Sequence, residues 1–145
     1  MKKIELVAHS PLKRARQTSQ GLLGCVTRYP ELKGLDSSWE GQKAPTVSRI
    51  VQLPFLMERT IFEWIPVKHD AFMERIKEFE SWLDLQPEEN IAIVGHSQYF
   101  KSMLQLSYKF DNCDVIQINY TPRLSSNDSS RGWSNLRKLY SFDEN

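Results

Sequence analysis

Short apolar runs alternate along the chain with longer stretches that repeat apolar residues at helical spacing. The apolar runs lie at residues 4–8, 47–53, 91–94 and 115–120, and their length is typical of buried strands. Helical patterns follow the first, second and third of these runs. Strands that alternate with helices predict an α/β domain with a mostly parallel sheet.

The predicted helices have recognisable ends. Ser10 is a natural N-cap, Pro11 suits the first helical position, and Gly24 can end the first helix. Asp70 can cap the second helix, and the third spans about residues 98–106. The second helix has a stripe of apolar residues that predicts its buried face: Phe72, Ile76, Phe79 and Leu83.

Two stretches have a composition that favours irregular structure. Residues 27–46 are rich in Pro, Gly, Ser and Asp, and we expect a loop there. Residues 123–145 form a polar C-terminal tail that either docks as a short helix or stays loose. The expected organisation is therefore one domain over residues 1–122, followed by this tail.

Composition narrows the classes of partner. The chain has 145 residues, 19 Lys and Arg against 18 Asp and Glu, and a net charge of +1. This balance argues against nucleic acid and against a membrane surface as partners, so any anion site must be local. Cys25 and Cys113 match no metal spacing and are expected to be free thiols of a cytoplasmic protein. The histidines share no ligand spacing with cysteines or carboxylates, which predicts no metal.

Four side chains lie where parallel strands end, which is where α/β folds bind anions. Arg14 opens the first helix and can hold a phosphate with its guanidinium. His96 and Ser97 follow the apolar run at 91–94 and offer an imidazole, a hydroxyl and a backbone amide. Glu58 follows the run at 47–53 and is a candidate general acid.

Three segments resemble motifs of one family, in the family's own order. Residues 10–18 read SPLKRARQT, residues 94–97 read VGHS, and residues 56–59 read LMER. The first segment closely resembles a motif of the histidine phosphatase superfamily, which has the phosphoglycerate mutase-like fold. The second is similar to that family's second histidine motif, and the third to its acidic loop. The resemblance covers roughly residues 4–120.

The resemblance implies a three-layer α/β/α sandwich and a role for each matching residue. Arg14 would hold the phosphoryl group, and His96 would donate to its oxygens together with Ser97. Glu58 would protonate the leaving group. The family acts on phosphate monoesters through a phosphohistidine intermediate, and the resemblance implies no metal and no cofactor. Phosphatases and mutases both occur in it.

One family motif is missing from the printed sequence. The family opens with a strand that ends in Arg-His-Gly, whose histidine is the nucleophile, and no Arg-His-Gly occurs here. Either residues 4–8 are the family's second strand and the chain is N-terminally shortened, or His9 is a degenerate nucleophile. We favour the first explanation, because one strand fills one position in a sheet and the SPL helix follows this strand directly.

The missing strand leaves three hypotheses open. The chain is a shortened phosphatase domain with weak or no turnover, a non-catalytic module that binds a phospho-ligand or a protein, or an enzyme that uses His9. The expected ligand is a small phosphate ester or a phosphoprotein. An unpaired sheet edge beside the His96 strand would favour weak stability or self-association.

Overall fold

A computed structural model of the chain describes two compact units. The described residues are 4–23, 49–60, 63, 66–112, 114–122 and 132–140. The first unit draws on residues 1–57 and 88–95, and the second on residues 58–87 and 96–145. The predictions for the loop at 27–46 and for Cys25 and Cys113 fall outside the described residues.

The first unit is built on a parallel sheet of three strands. Strand β1 (Leu6–His9) lies between β2 (Arg49–Gln52) and β3 (Ile91–Val94), and both pairings are parallel. All four residues of β1 are fully buried, because the strand has a neighbour on each side and apolar cover. The predicted α/β class and parallel sheet are confirmed.

Helix α1 (Lys13–Leu23) follows β1 after a tight connection. The Oγ atom of Ser10 accepts a hydrogen bond from the backbone N–H of Leu12 at 3.3 Å, as a capping serine does. Ala15 and Ser19 are buried where α1 packs against the sheet. The regular helix begins two residues later than the position of Pro11 predicts.

Strand β3 pairs with β1 on one side. The carbonyl of Val94 accepts a hydrogen bond from the N–H of Ser10 at 2.9 Å, which continues the β1–β3 ladder. Backbone groups alternate in direction along a strand, so those of Ile91 and Ile93 point away from β1. Within the described residues, no further strand continues this sheet beyond β3.

The second unit contains two helices that pack through aromatic rings. Helix α2 spans Pro66–Asp84 and α3 spans Ser97–Leu104. Tyr99 of α3 is fully buried and makes edge-to-face contacts with Phe72 and Phe79, at ring-centroid distances of 5.7 and 6.4 Å. The predicted buried stripe of α2 is confirmed at Phe72, Ile76, Phe79 and Leu83. No helix among the described residues is long and apolar enough to cross a bilayer.

A two-stranded antiparallel ribbon completes the second unit. Strand β4 (Val115–Tyr120) pairs with β5 (Trp133–Tyr140). The indole N–H of Trp133 donates to the Glu80 carboxylate at 2.9 Å, which ties the ribbon to α2.

The ribbon corrects the expectation for the C-terminal tail. A short helix or a loose segment was predicted over residues 123–145, and residues 133–140 are instead a strand. Trp133, Leu136 and Leu139 recur at a spacing that suggests a helix. The register shifts where Asn135 adopts a positive φ of 53°, and this irregularity hides the strand's alternation from the sequence.

Candidate functional site

The first unit places His9 and Ser10 at the carboxyl end of β1. Both residues are fully buried. The Nδ1 atom of His9 lies 2.8 Å from the carbonyl oxygen of Ser10. A carbonyl only accepts hydrogen bonds, so Nδ1 carries the proton, and in a neutral ring the lone pair lies on Nε2. That tautomer suits a nucleophile at Nε2, whereas the complete burial of the ring opposes one.

Arg14 lies in the first turn of α1, as the sequence predicts. Its side chain is exposed, and its backbone carbonyl accepts a hydrogen bond from the Thr18 hydroxyl at 3.0 Å. An exposed guanidinium near the start of a helix is available to a soluble anion. Arg14 and His9 both belong to the first unit.

The second unit places His96 and Ser97 at the start of α3. His96 occupies the N-cap position with extended backbone angles, and its carbonyl accepts the first helical hydrogen bond, from Phe100 at 3.0 Å. Its ring makes no capping hydrogen bond. Ser97 is the first residue of α3 and is half-buried.

The imidazole of His96 contacts the carboxylate of Glu58. The Nδ1 atom of His96 lies 3.5 Å from Oε2 of Glu58, and the His96 side chain is 5% exposed against 31% for Glu58. The second oxygen, Oε1, accepts a weak hydrogen bond from the N–H of Arg59 at 3.3 Å. The structure thus brings together three of the predicted site residues, Glu58, His96 and Ser97, within one unit.

Arg75 is an arginine that the sequence patterns did not single out, and it contacts the backbone of Glu58. Nη2 of Arg75 lies 2.9 Å from both carboxylate oxygens of Glu63 and 3.5 Å from the backbone carbonyl of Glu58. Arg75 is in the middle of α2, far from Glu58 in sequence, so no local motif joins them. Its position on the side of α2 next to Phe72 and Ile76, close to the buried stripe, was the available signal.

The pair of Glu58 and His96 has a clear chemical capacity. An imidazole at a helix N-terminus can hold an anion, and a half-exposed carboxyl beside it can deliver a proton to an oxygen of that anion. The geometry therefore fits acid chemistry on an ester whose anionic group is bound at α3.

Comparison with known protein families gives a match over most of the chain. The model of the histidine phosphatase superfamily (branch 1) matches residues 1–126. The chain belongs to the histidine phosphatase superfamily. Comparison with curated proteins and with solved structures gives no match.

The superfamily match includes every predicted site residue. Arg14, Glu58, His96 and Ser97 all lie within it, as does His9. Strand β5 lies beyond it, since the match stops at residue 126. The histidine phosphatase assignment thus agrees with the resemblance carried by the SPLKRARQT, LMER and VGHS segments.

Proposed function

We propose that this histidine phosphatase superfamily domain binds phosphate monoesters, with Arg14, His96 and Ser97 as the phosphate ligands. The observation that carries the proposal is the contact between His96 and Glu58 at the start of α3. An imidazole and a helix N-terminus both favour a phosphoryl oxygen, and a guanidinium adds a charge-assisted donor. Glu58 is proposed as the acid that protonates the leaving oxygen.

We further propose that turnover by this chain is weak or absent. The covalent route needs a histidine that attacks phosphorus and breaks the bond to the ester oxygen, which then takes a proton from Glu58. The sequence contains no Arg-His-Gly. His9 is the alternative nucleophile, and its Nδ1-protonated tautomer supports that role while its burial argues against it.

A second proposal is a non-catalytic module of the same fold. The missing Arg-His-Gly favours it, because a site that keeps phosphate ligands but lacks a nucleophile can bind without reacting. Its ligand would be a phosphate ester or a phosphoprotein. The same domain could self-associate through the outer edge of β3, where the backbone groups of Ile91 and Ile93 point away from β1.

The test combines inorganic phosphate binding with turnover of p-nitrophenyl phosphate by the full chain. Arg14→Ala and His96→Ala should each weaken phosphate binding about tenfold, the effect of one lost charge-assisted contact. Lys13→Ala is the matched control, since Lys13 is an exposed cation next to Arg14. It should leave the affinity for phosphate within about twofold.

Each outcome separates the proposals. Turnover that is lost in folded His9→Ala protein would support His9 as the nucleophile. Phosphate binding without turnover would support the binding module or the inactive domain, and sedimentation velocity at rising concentration would then reveal self-association. Phosphate affinity that survives both Arg14→Ala and His96→Ala would contradict the proposed site.

A further inference from the structure

Glu63 holds the two residues directly after Glu58 through hydrogen bonds to Arg59 and Thr60. The Glu63 carboxylate accepts a hydrogen bond from the N–H of Thr60 at 2.7 Å. Its backbone carbonyl accepts two hydrogen bonds from the guanidinium of Arg59, from Nε at 3.3 Å and from Nη2 at 3.0 Å. Glu63 thus binds two of the residues directly after Glu58, which restricts the backbone that carries the Glu58 side chain.

Arg75 fastens this folded segment to helix α2. Its Nη2 donates to both oxygens of Glu63 and lies within 3.5 Å of the Glu58 carbonyl. The side chains of Arg75 and Glu63 are only 17% and 15% exposed, so solvent screens this pair less than a surface pair. The contact therefore fixes the Glu58 segment to a rigid element rather than to another loop.

The guanidinium of Arg75 also contacts two aromatic rings, one on α2 and one on α3. Its carbon lies 5.2 Å from the ring centroid of Phe72 and 5.7 Å from that of Tyr99. Tyr99 lies in the first turn of α3, one turn after His96. One side chain thus contacts both the segment of Glu58 and the helix that begins at His96.

Neighbouring groups keep the carboxylate of Glu63 ionised. Burial by itself raises the pKa of Glu63, but hydrogen bonds from Thr60 and the charge of Arg75 outweigh it and lower the pKa below its ordinary value. The carboxylate therefore stays ionised at neutral pH, and its attraction to Arg75 persists.

We infer that the Arg75–Glu63 ion pair is a positioning device that holds Glu58 against His96. It rests on the proposed function only in taking Glu58 as the acid. Arg75 and Glu63 bind the segment that carries Glu58, and the Glu58 carboxylate contacts the imidazole. They act on it through Glu58, so their removal should loosen the contact between Glu58 and His96 before it affects the rest of the unit.

The test follows the ring resonances of His96 by NMR in the full chain without phosphate. The three histidines are assigned from single substitutions of each. Glu58→Gln removes the carboxylate. The change in chemical shift that it causes at His96 is the reference for the other variants. Glu63→Gln should give about half of that change or more, and the double variant should match Glu58→Gln alone, because the two act in series.

The matched control is Glu74→Gln, which removes an exposed ion pair with Lys77 on the same helix. It should leave the His96 resonances unchanged. If Glu63→Gln does not fold, as judged by thermal melting, Arg75→Lys takes its place, because it keeps the positive charge and loses the planar group.

Two results would overturn the inference. One is an unchanged His96 resonance in folded Glu63→Gln or Arg75→Lys. The other is an effect of either variant that persists in full when Glu58→Gln is also present. A failure of phosphate binding would contradict the proposed function instead. The His96 resonances would still test the positioning role, because they are measured without phosphate.

Discussion

The dipeptide His-Ser occurs twice at the start of a helix, and the two copies make different contacts. At His9-Ser10 the imidazole binds the carbonyl of its own neighbour and the serine hydroxyl caps α1. At His96-Ser97 the imidazole makes no capping bond and contacts the carboxylate of Glu58 instead. Both rings are buried, so burial alone does not distinguish them.

The difference arises from where each helix begins. In the first copy the serine precedes α1, so its hydroxyl can reach the N–H of Leu12. In the second copy α3 begins at Ser97 itself, which places His96 at the N-cap position, where its ring makes no capping hydrogen bond. A shift of the helix start relative to the same two residues thus gives the two imidazoles different partners, a backbone carbonyl for His9 and a carboxylate for His96.

The largest expected effect is on stability at His9. His9→Ala removes a fully buried ring that also binds the chain's backbone, and it should lower the free energy of unfolding by about 2–4 kcal/mol. His96→Ala should cost about half as much, because its partner Glu58 is partly exposed and can be solvated. Urea unfolding of both variants measures this. Equal losses would break the distinction between the two histidines.

The two serines should differ in the same direction. Ser10→Ala deletes the cap of α1 and should lower the free energy of unfolding by about 1 kcal/mol. Ser97→Ala changes a residue that is already helical, and it should stay within about 0.5 kcal/mol. Urea unfolding again gives the values, and a larger loss for Ser97 would show that its hydroxyl has a structural role.

Acid should lower the free energy of unfolding of the unit that contains His96, because Glu63 becomes protonated. The folded-state pKa of Glu63 is lowered, so its contribution to stability is complete above the ordinary carboxyl pKa of the unfolded chain. That contribution is lost as the pH falls through the lower folded-state value. Urea unfolding between neutral and acidic pH should therefore show a steeper decline for the native chain than for Glu63→Gln. Parallel curves would exclude this role, and Glu74→Gln should follow the native curve.

The smallest effect concerns Tyr99 in the first turn of α3. The Tyr99 hydroxyl is buried without a hydrogen-bond partner among the described residues, and burial raises the pKa of Tyr99, so the group stays neutral. Tyr99→Phe keeps the ring contacts and removes an unsatisfied polar atom. It should leave stability unchanged or raise it by up to about 1 kcal/mol in thermal unfolding. A clear loss would show that the hydroxyl has a partner in solution.

The parts of the fold with regular local patterns could be predicted. The strand at 91–94 and the buried face of α2 followed from an apolar run and from helical spacing, since burial of one face determines both. The strand at 133–140 could not, because the bulge at Asn135 breaks the alternation on which strand prediction depends. Its pairing with β4 is a tertiary property that no window of local sequence contains.

The residues of the candidate site differ in the same way in how far local sequence could predict them. Glu58, His96 and Ser97 could be predicted as candidates because each lies beside a strand end within a motif of recognisable spacing. Arg75 and Glu63 were not identified as supports, because their contact joins a loop to the middle of a helix and has no sequence signature. The tautomer of His9 likewise depends on a backbone geometry that a sequence does not specify.

One end of the ribbon of β4 and β5 is fixed to α2, where Tyr120 and Trp133 pair across the ladder and donate to Asp84 and Glu80. Its opposite end has no such aromatic pair among the described residues. Amide protons should therefore exchange with solvent more slowly near Tyr120 and Trp133 than near Tyr140.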